Sequence, residues 1–268
     1  MEAVMKWIPI YMTGAIEPYC YPRIRDDLFQ HTLFIAPETA AIVSQSVRQD
    51  TSDMLNAFIT DKSAIHALVT EYDRYFKLCR PLMKIYTSRN KSELLTELQS
   101  LHISKGGYYI RSAVPPLFTL PRSVVEEINV PDLKQLWEKD YAQFEKSIQT
   151  DEIRLILLDP DIALLTPNKL ILSSFSLVGE KQIVLTPKQY QTQLDHIKQL
   201  TQKYPHLHVR KQMVIPFNNL LYVKDQTGVV MAKTDVPSAA FLLYEQNMTY
   251  AFEGYFRREF HNSIPFSE

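Results

Sequence analysis

The densest set of groups able to do chemistry lies in segment 17–27, where Glu17, Arg23, Arg25, Asp26 and Asp27 surround Tyr19 and Tyr21. Guanidinium forks suit carboxylates and phosphates, and phenol rings add stacking faces and hydroxyls. With Arg80, these residues form the candidate site for a small polar or anionic ligand. The same residues would also make a loop pinned by Arg–Asp pairs and stiffened by Pro18 and Pro22. Arg80 directly precedes Pro81, at the end of a helical stripe, where a cation would also complete a helix C-terminus. His206 and His208 are two apart and would share one face of a strand, a spacing that suits a metal only weakly. Tyr250, Tyr255, Phe256 and Phe260 could stack bases, but their spacing also fits a packed helix face.

Several chemistries lack their residues. The 268 residues include 7 His, none in an HExxH arrangement, and no GxSxG or SxxK occurs. Only 6 residues are Gly, and only Gly106 and Gly107 are adjacent, so neither GxGxxG nor a P-loop exists. Cys20 and Cys79 are too few for a disulfide framework or a Cys-rich zinc site and read as buried thiols. No metal and no cofactor is therefore expected. Lys+Arg of 29 against Asp+Glu of 30 gives a net charge of −1, which predicts no direct DNA contact by the chain as a whole. No apolar run approaches the roughly 20 residues of a spanning helix. The start of the chain, with Glu2, Lys6 and Pro9, makes a poor signal peptide, so a cytoplasmic protein without a membrane partner is expected.

The elements that must position these groups follow from periodicity. Runs 8–11, 32–35, 40–43 and 54–59 are strand-like. Ile65, Leu68, Tyr72, Tyr75, Phe76 and Cys79 recur at helical spacing until Pro81, which lacks the N–H a helix needs. Leu94, Leu95, Leu98 and Leu101 mark a second helix. Leu133, Leu136, Trp137, Tyr141, Phe144 and Ile148 mark a third, opened by Pro131. Strands are predicted at 108–110, 153–158, 169–172, 182–185, 208–210 and 213–215. A helix follows Thr186 and Pro187, then a hairpin over 220–231, a strand at 239–244 and a last, aromatic-faced helix. Residues 94–110 have helix-turn-helix spacing, but Gly106 and Gly107 would fall in the recognition helix at a cost of about 1 kcal/mol each.

An internal repeat organises these pieces. Segment 32–44 aligns without a gap on 220–232, an offset of 188, with Thr39 meeting Thr227. After a loop four residues shorter in the second copy, the offset becomes 184. Ala57 and Phe58 then meet Phe241 and Leu242, while Tyr72, Arg74 and Phe76 meet Phe256, Arg258 and Phe260. Ser63 meets Asn247, and both suit an N-cap. Two pseudo-symmetric halves, about 1–86 and 150–268, are thus expected to share one core, joined by a mainly helical segment 87–149. The second copy also has a helix and strand ahead of its hairpin (187–215) that find only Ile8, Pro9 and Ile10 as a counterpart, as if a segment were missing before the first copy.

The second copy resembles the half-domain of the phospholipase D-like fold, whose pattern is helix, strand, polar-turned hairpin, strand, aromatic helix. Catalytic members carry HxKxxxxD, with His as nucleophile and Lys on phosphate. Here His196 and Lys198 are the one HxK, and position 203 is Lys203 rather than Asp. Residues 8–85 resemble the C-terminal part of bacterial helix-turn-helix transcription regulators, in which a phospholipase D-like module without catalytic residues is regulatory. The resemblance implies an α/β fold, internally duplicated, with a mixed central sheet flanked by helices. It implies a non-enzymatic, ligand-sensing domain of a transcription regulator, working as a homodimer. A protein–protein dimerisation scaffold and a diverged phospholipase D-like enzyme are the alternatives.

Overall fold

The computed structural model describes residues 16–21, 29–47, 54–87, 89–172, 182–234 and 238–266. The chain divides at Leu82 and Met83 into two compact units, the smaller being Ile16–Leu82.

In the small unit, β2 (Phe29–Ala36), β3 (Ala40–Val47) and β4 (Leu55–Ile59) form an antiparallel meander. Helix α1 (Lys62–Phe76) packs on β2 and β3 and buries Ile65. It starts at Asp61, whose carboxylate accepts the Ala64 N–H at 2.9 Å, filling one of the donors that a helix start leaves open. A two-residue ladder joins β1 (Tyr19–Cys20) to β5 (Arg80–Pro81).

The large unit is built on an eight-stranded mixed sheet of order β13-β9-β8-β7-β10-β11-β12-β6. Its strands are β6 (Lys84–Thr87), β7 (Tyr108–Ser112), β8 (Ile153–Leu158), β9 (Leu207–Gln212), β10 (Asn219–Lys224), β11 (Gly228–Lys233), β12 (Ala239–Leu243) and β13 (Ile264–Pro265). Strands β7, β8 and β9 run parallel; the other pairs are antiparallel. Parallel neighbours require long crossovers, and helices make them. Helices α3 (Arg122–Ile128) and α4 (Pro131–Ser147) lie between β7 and β8, and α5 (Pro160–Leu164) and α6 (Pro187–Lys203) between β8 and β9. Helix α2 (Lys91–Ile103) links β6 to β7, and α7 (Gln246–Asn262) follows β12. Between two parallel neighbours, β8 buries every residue but Arg154, as a strand covered on both faces must. Alternation along β7 shows that both faces carry helices: Tyr109 meets Phe256 of α7 at 5.1 Å, while Tyr108 points the other way, to His102 of α2 at 5.3 Å. The α/β class with a mixed sheet flanked by helices is thus present, and the run from α6 to α7 keeps the element order of the phospholipase D-like resemblance.

The repeat is legible in the element bounds. Ala36 and Ala40 close the first hairpin where Lys224 and Gly228 close the second, at the offset of 188. Strand β4 maps onto β12, and the caps Asp61 and Glu245 coincide, at the offset of 184. These caps lie two residues before the Ser63 and Asn247 expected from sequence. Both turns close with the same bond, Thr39 N–H to Ala36 O at 3.0 Å and Thr227 N–H to Lys224 O at 3.1 Å. Both put a non-glycine residue at positive φ in the same place, Glu38 at 66° and Gln226 at 53°, as a type II turn demands at its third position.

Other expectations need correcting. The two hairpins belong to separate sheets, and of the described residues before position 87 only those of β6 join the eight-stranded sheet. Segment 87–149 is no mere joint, because it supplies β7, which pairs with both β8 and β10. As Gly106 and Gly107 argued, residues 94–110 form no helix-turn-helix: they hold most of α2, a glycine turn and the start of β7. The strands expected at 169–172 and 182–185 reduce to one bridge, Ile171 with Val184, and 213–215 is not a strand. Run 8–11 lies outside the described residues.

The left-handed turn residue yields a stability prediction. Gln226 is exposed and its conformation is strained for a side chain bearing Cβ, so Gln226→Gly should stabilise the fold by about 1 kcal/mol. Urea or thermal unfolding reads this directly, and an unchanged or lower midpoint would show that the turn carries no such strain.

Candidate functional site

A cavity of about 430 Å³ opens within the large unit. Two helices and the sheet wall it. Helix α2 presents Leu95, Leu98, Gln99, His102 and Ile103, and α4 presents Leu136, Lys139, Asp140 and Gln143. Both sets follow the three-and-four spacing of a single helix face. The sheet adds Ile110 of β7, Leu220 and Tyr222 of β10 and Val230 of β11; Pro116, Leu117 and Phe118 close one end. Behind the lining, Tyr108 stacks on Tyr222 at 5.6 Å and Phe118 on Phe144 at 4.5 Å, which fixes the aromatic wall.

The polar groups on this wall are few and converge. His102 Nδ1 lies 3.4 Å from the Tyr222 hydroxyl, and Nε2 lies 3.7 Å from Asp140 Oδ1, within ion-pair range but too far for a hydrogen bond. The Gln143 amide nitrogen donates to His102 O at 3.3 Å and to Ser147 Oγ at 3.1 Å, which holds α4 against the end of α2. Burial disfavours charge on both titratable groups. It raises Asp140 to about 7, against a smaller opposing effect of the Phe118 backbone N–H. It lowers His102 to about 4, helped by the positive charge of Lys224. The imidazole is therefore neutral at physiological pH, and the carboxyl sits near its midpoint.

Lys224 itself is fully buried beneath this wall. Its ammonium donates to Gly106 O at 2.6 Å and lies 5.3 Å from the centre of the Tyr108 ring. The adjacent glycines serve this junction rather than a phosphate. Gly106 has φ of 101°, and a Cβ on Gly107 would stand 2.5 Å from Glu152 O.

The residues expected to form a ligand site lie elsewhere. Glu17, Tyr19, Tyr21 and Arg80 belong to the small unit, and Arg23, Arg25 and Asp26 lie outside the described residues. The β1–β5 ladder brings Cys20 opposite Arg80, so the segment before position 21 does meet Arg80. Tyr19 packs at a tilt against Phe76, with ring centres 4.4 Å apart, and Tyr21 against Tyr75 at 5.7 Å, a packing role on α1. Arg80 is a strand residue rather than a helix cap, because α1 ends at Phe76 with Lys77 as its C-cap. None of the four lines the cavity. Cys20 and Cys79 are free thiols, only partly buried. His208 lies on β9 while His206 sits in the turn just before it, so they do not share a strand face as expected; both meet Glu152, at 3.2 and 2.7 Å. Burial works to raise that carboxyl, yet bonds from the two imidazoles and the Arg154 charge hold it below its ordinary value. No cluster able to hold a metal ion occurs among the described residues, and no helix among them is long and apolar enough to cross a membrane.

No protein-family model and no curated protein matches the chain. Among solved structures it is similar to TrmBL2, described as an archaeal chromatin protein with a novel mode of DNA binding. That match has 11% identity and a TM-score of 0.37, covering 76% of this chain and 62% of that one. It is similar to Nuc, a phospholipase D family member from Salmonella typhimurium, at 8% identity and a TM-score of 0.40, over 69% of this chain and 98% of Nuc. NucT from Helicobacter pylori matches at 8% identity and a TM-score of 0.39, over 68% and 98% of the two chains.

The half-buried carboxyl gives the site a pH signature. The folded state holds the Asp140 proton more tightly than the unfolded chain, so stability is lost as pH rises from 3.8 towards about 7. Asp140→Asn removes that penalty. The variant should exceed the parent by on the order of 1–3 kcal/mol at pH 8, with the gain fading below pH ~5. Denaturant unfolding at both pH values checks this, and a gain independent of pH would refute it.

Proposed function

We propose that the chain is a non-enzymatic regulatory domain of a transcription regulator that senses a small molecule held in the cavity of the large unit. The cavity carries this reading. Its 430 Å³ volume, apolar walls and few converging polar groups match the general form of small-molecule sites. Because α2 and α4 form facing walls, an occupant favours the helix arrangement that fits it, a population shift that an attached or associated DNA-binding unit can read. The regulator assignment is supported by the resemblance of residues 8–85. The net charge of −1 suits a domain that controls a DNA binder without gripping DNA itself.

The state of the phospholipase D-type residues supports the non-enzymatic part. His196 is engaged with Thr119 O at 2.8 Å, and Lys198 pairs with Asp195 at 3.6 Å on the exposed side of α6. Read back from Asp225 in the β10–β11 turn, the HxKxxxxD spacing falls on Asn218 and Leu220, neither a nucleophile nor a phosphate ligand. A second reading, a scaffold that pairs with another copy of the chain, draws on the small unit. There the sheet register lines up Phe34, Ile42 and Phe58, exposed at 65%, 43% and 70%, in one row.

Native mass spectrometry and thermal-shift screening of the full chain test the sensing role. At least one small, mainly apolar compound should raise the melting temperature, and Leu98→Trp, which fills the cavity, should abolish the shift while the protein stays folded. Ligand shifts that survive Leu98→Trp would sink the reading. So would hydrolysis of bis(p-nitrophenyl) phosphate that Asp225→Asn removes, since that would make the chain an enzyme.

A further inference from the structure

We propose that the cavity selects a small amine: a ligand with an apolar body and a protonated ammonium head seated against Asp140. The inference rests on the cavity being a ligand site and adds the chemical class of its occupant. Asp140 places a carboxyl in a mainly apolar wall, and no lysine or arginine among the described residues pairs with it. A half-buried carboxylate without a cation is disfavoured, and a ligand cation that closes over it supplies the missing charge.

The groups around it are acceptors suited to an ammonium. His102 is neutral, and its Nε2 is buried, has no hydrogen-bond partner and faces Asp140 across 3.7 Å. In the tautomer whose Nδ1–H donates to the Tyr222 oxygen, that Nε2 presents a lone pair. Gln143 spends its amide nitrogen on His102 O and Ser147 Oγ, which leaves its amide oxygen as an acceptor. Carboxylate, imidazole nitrogen and amide oxygen thus offer three acceptors for the three N–H donors of a primary ammonium. The remaining charged groups do not compensate Asp140. Lys139 lines the cavity but is exposed, and Lys224 is held by Gly106 O. An anionic head would meet the Asp140 charge with no arginine to offset it. This is a different class from the polar or anionic ligand expected at Arg23 and Arg25.

Three probes of one shape separate the possibilities: 4-phenylbutylamine, 4-phenylbutanol and 4-phenylbutyrate, titrated into the full chain by calorimetry at pH 8. The amine should bind about tenfold or more tightly than the alcohol, and the acid weakest. Asp140→Asn, predicted to be a stable variant, should erase the amine's advantage while retaining alcohol binding. Equal binding of amine and alcohol, or an amine preference that survives Asp140→Asn, overturns the amine inference and leaves the cavity as a ligand site. Binding of none of the three in the parent chain overturns both the amine inference and the sensing role.

Discussion

The large sheet depends on one junction, where Gly106 and Gly107 lead into β7. Three bonds meet there: Lys224 Nζ to Gly106 O, Asp225 N–H to Gly107 O, and Tyr108 N–H to Glu152 O. Together they set β7 against an antiparallel neighbour, β10, and a parallel one, β8. A slip of one residue would exchange the faces of every side chain on β7. Tyr108 and Ile110 would then leave the aromatic wall, and Tyr109 would leave Phe256. The close approach at Glu152 O requires a residue without Cβ at position 107, so the register is written into the backbone before any side chain packs.

The cavity walls follow from that register, and their chemistry works against stability from two directions. Asp140 resists losing its proton, which weakens the fold as pH rises towards 7. His102 resists gaining one, which weakens it as pH falls from 6.5 towards about 4. A core chosen for stability alone would place leucine at both positions. Groups kept at such a cost, beside a cavity and facing each other, mark a region shaped for something other than packing.

Much of the architecture was legible in the sequence. Periodicity located α1, α2, α4, α6 and α7, and the internal alignment matched the second hairpin, strand and helix to the first in order and offset, with the helix caps two residues earlier than expected. The site was not legible in the same way, because attention goes to clustered charge, as at Arg23, Arg25 and Asp26, while Asp140 and His102 stand alone in sequence. A signal was nevertheless present. Asp140 interrupts the stripe of Leu133, Leu136, Trp137 and Phe144, and His102 adjoins Leu98 and Leu101 in the same manner. A titratable residue on the apolar face of a helix is the mark to seek, though only the fold shows that the two faces meet. The sheet to which each hairpin belongs was not legible for a related reason: local patterns define a hairpin and its helix, but the strands that flank them are chosen by distant segments such as 108–112.

Lys224 carries one more implication. Its side chain is shut away from water, its only bonded acceptor among the described residues is the carbonyl of a glycine at positive φ, and the ammonium lies over the Tyr108 ring. Removing the ammonium alone would strand that carbonyl, and giving residue 106 a side chain would shift the carbonyl the ammonium needs. The effects of changes at 106, 108 and 224 should therefore be far from additive. As the sequence drifts, most of this protein can change one residue at a time, whereas these three positions have to move as a set.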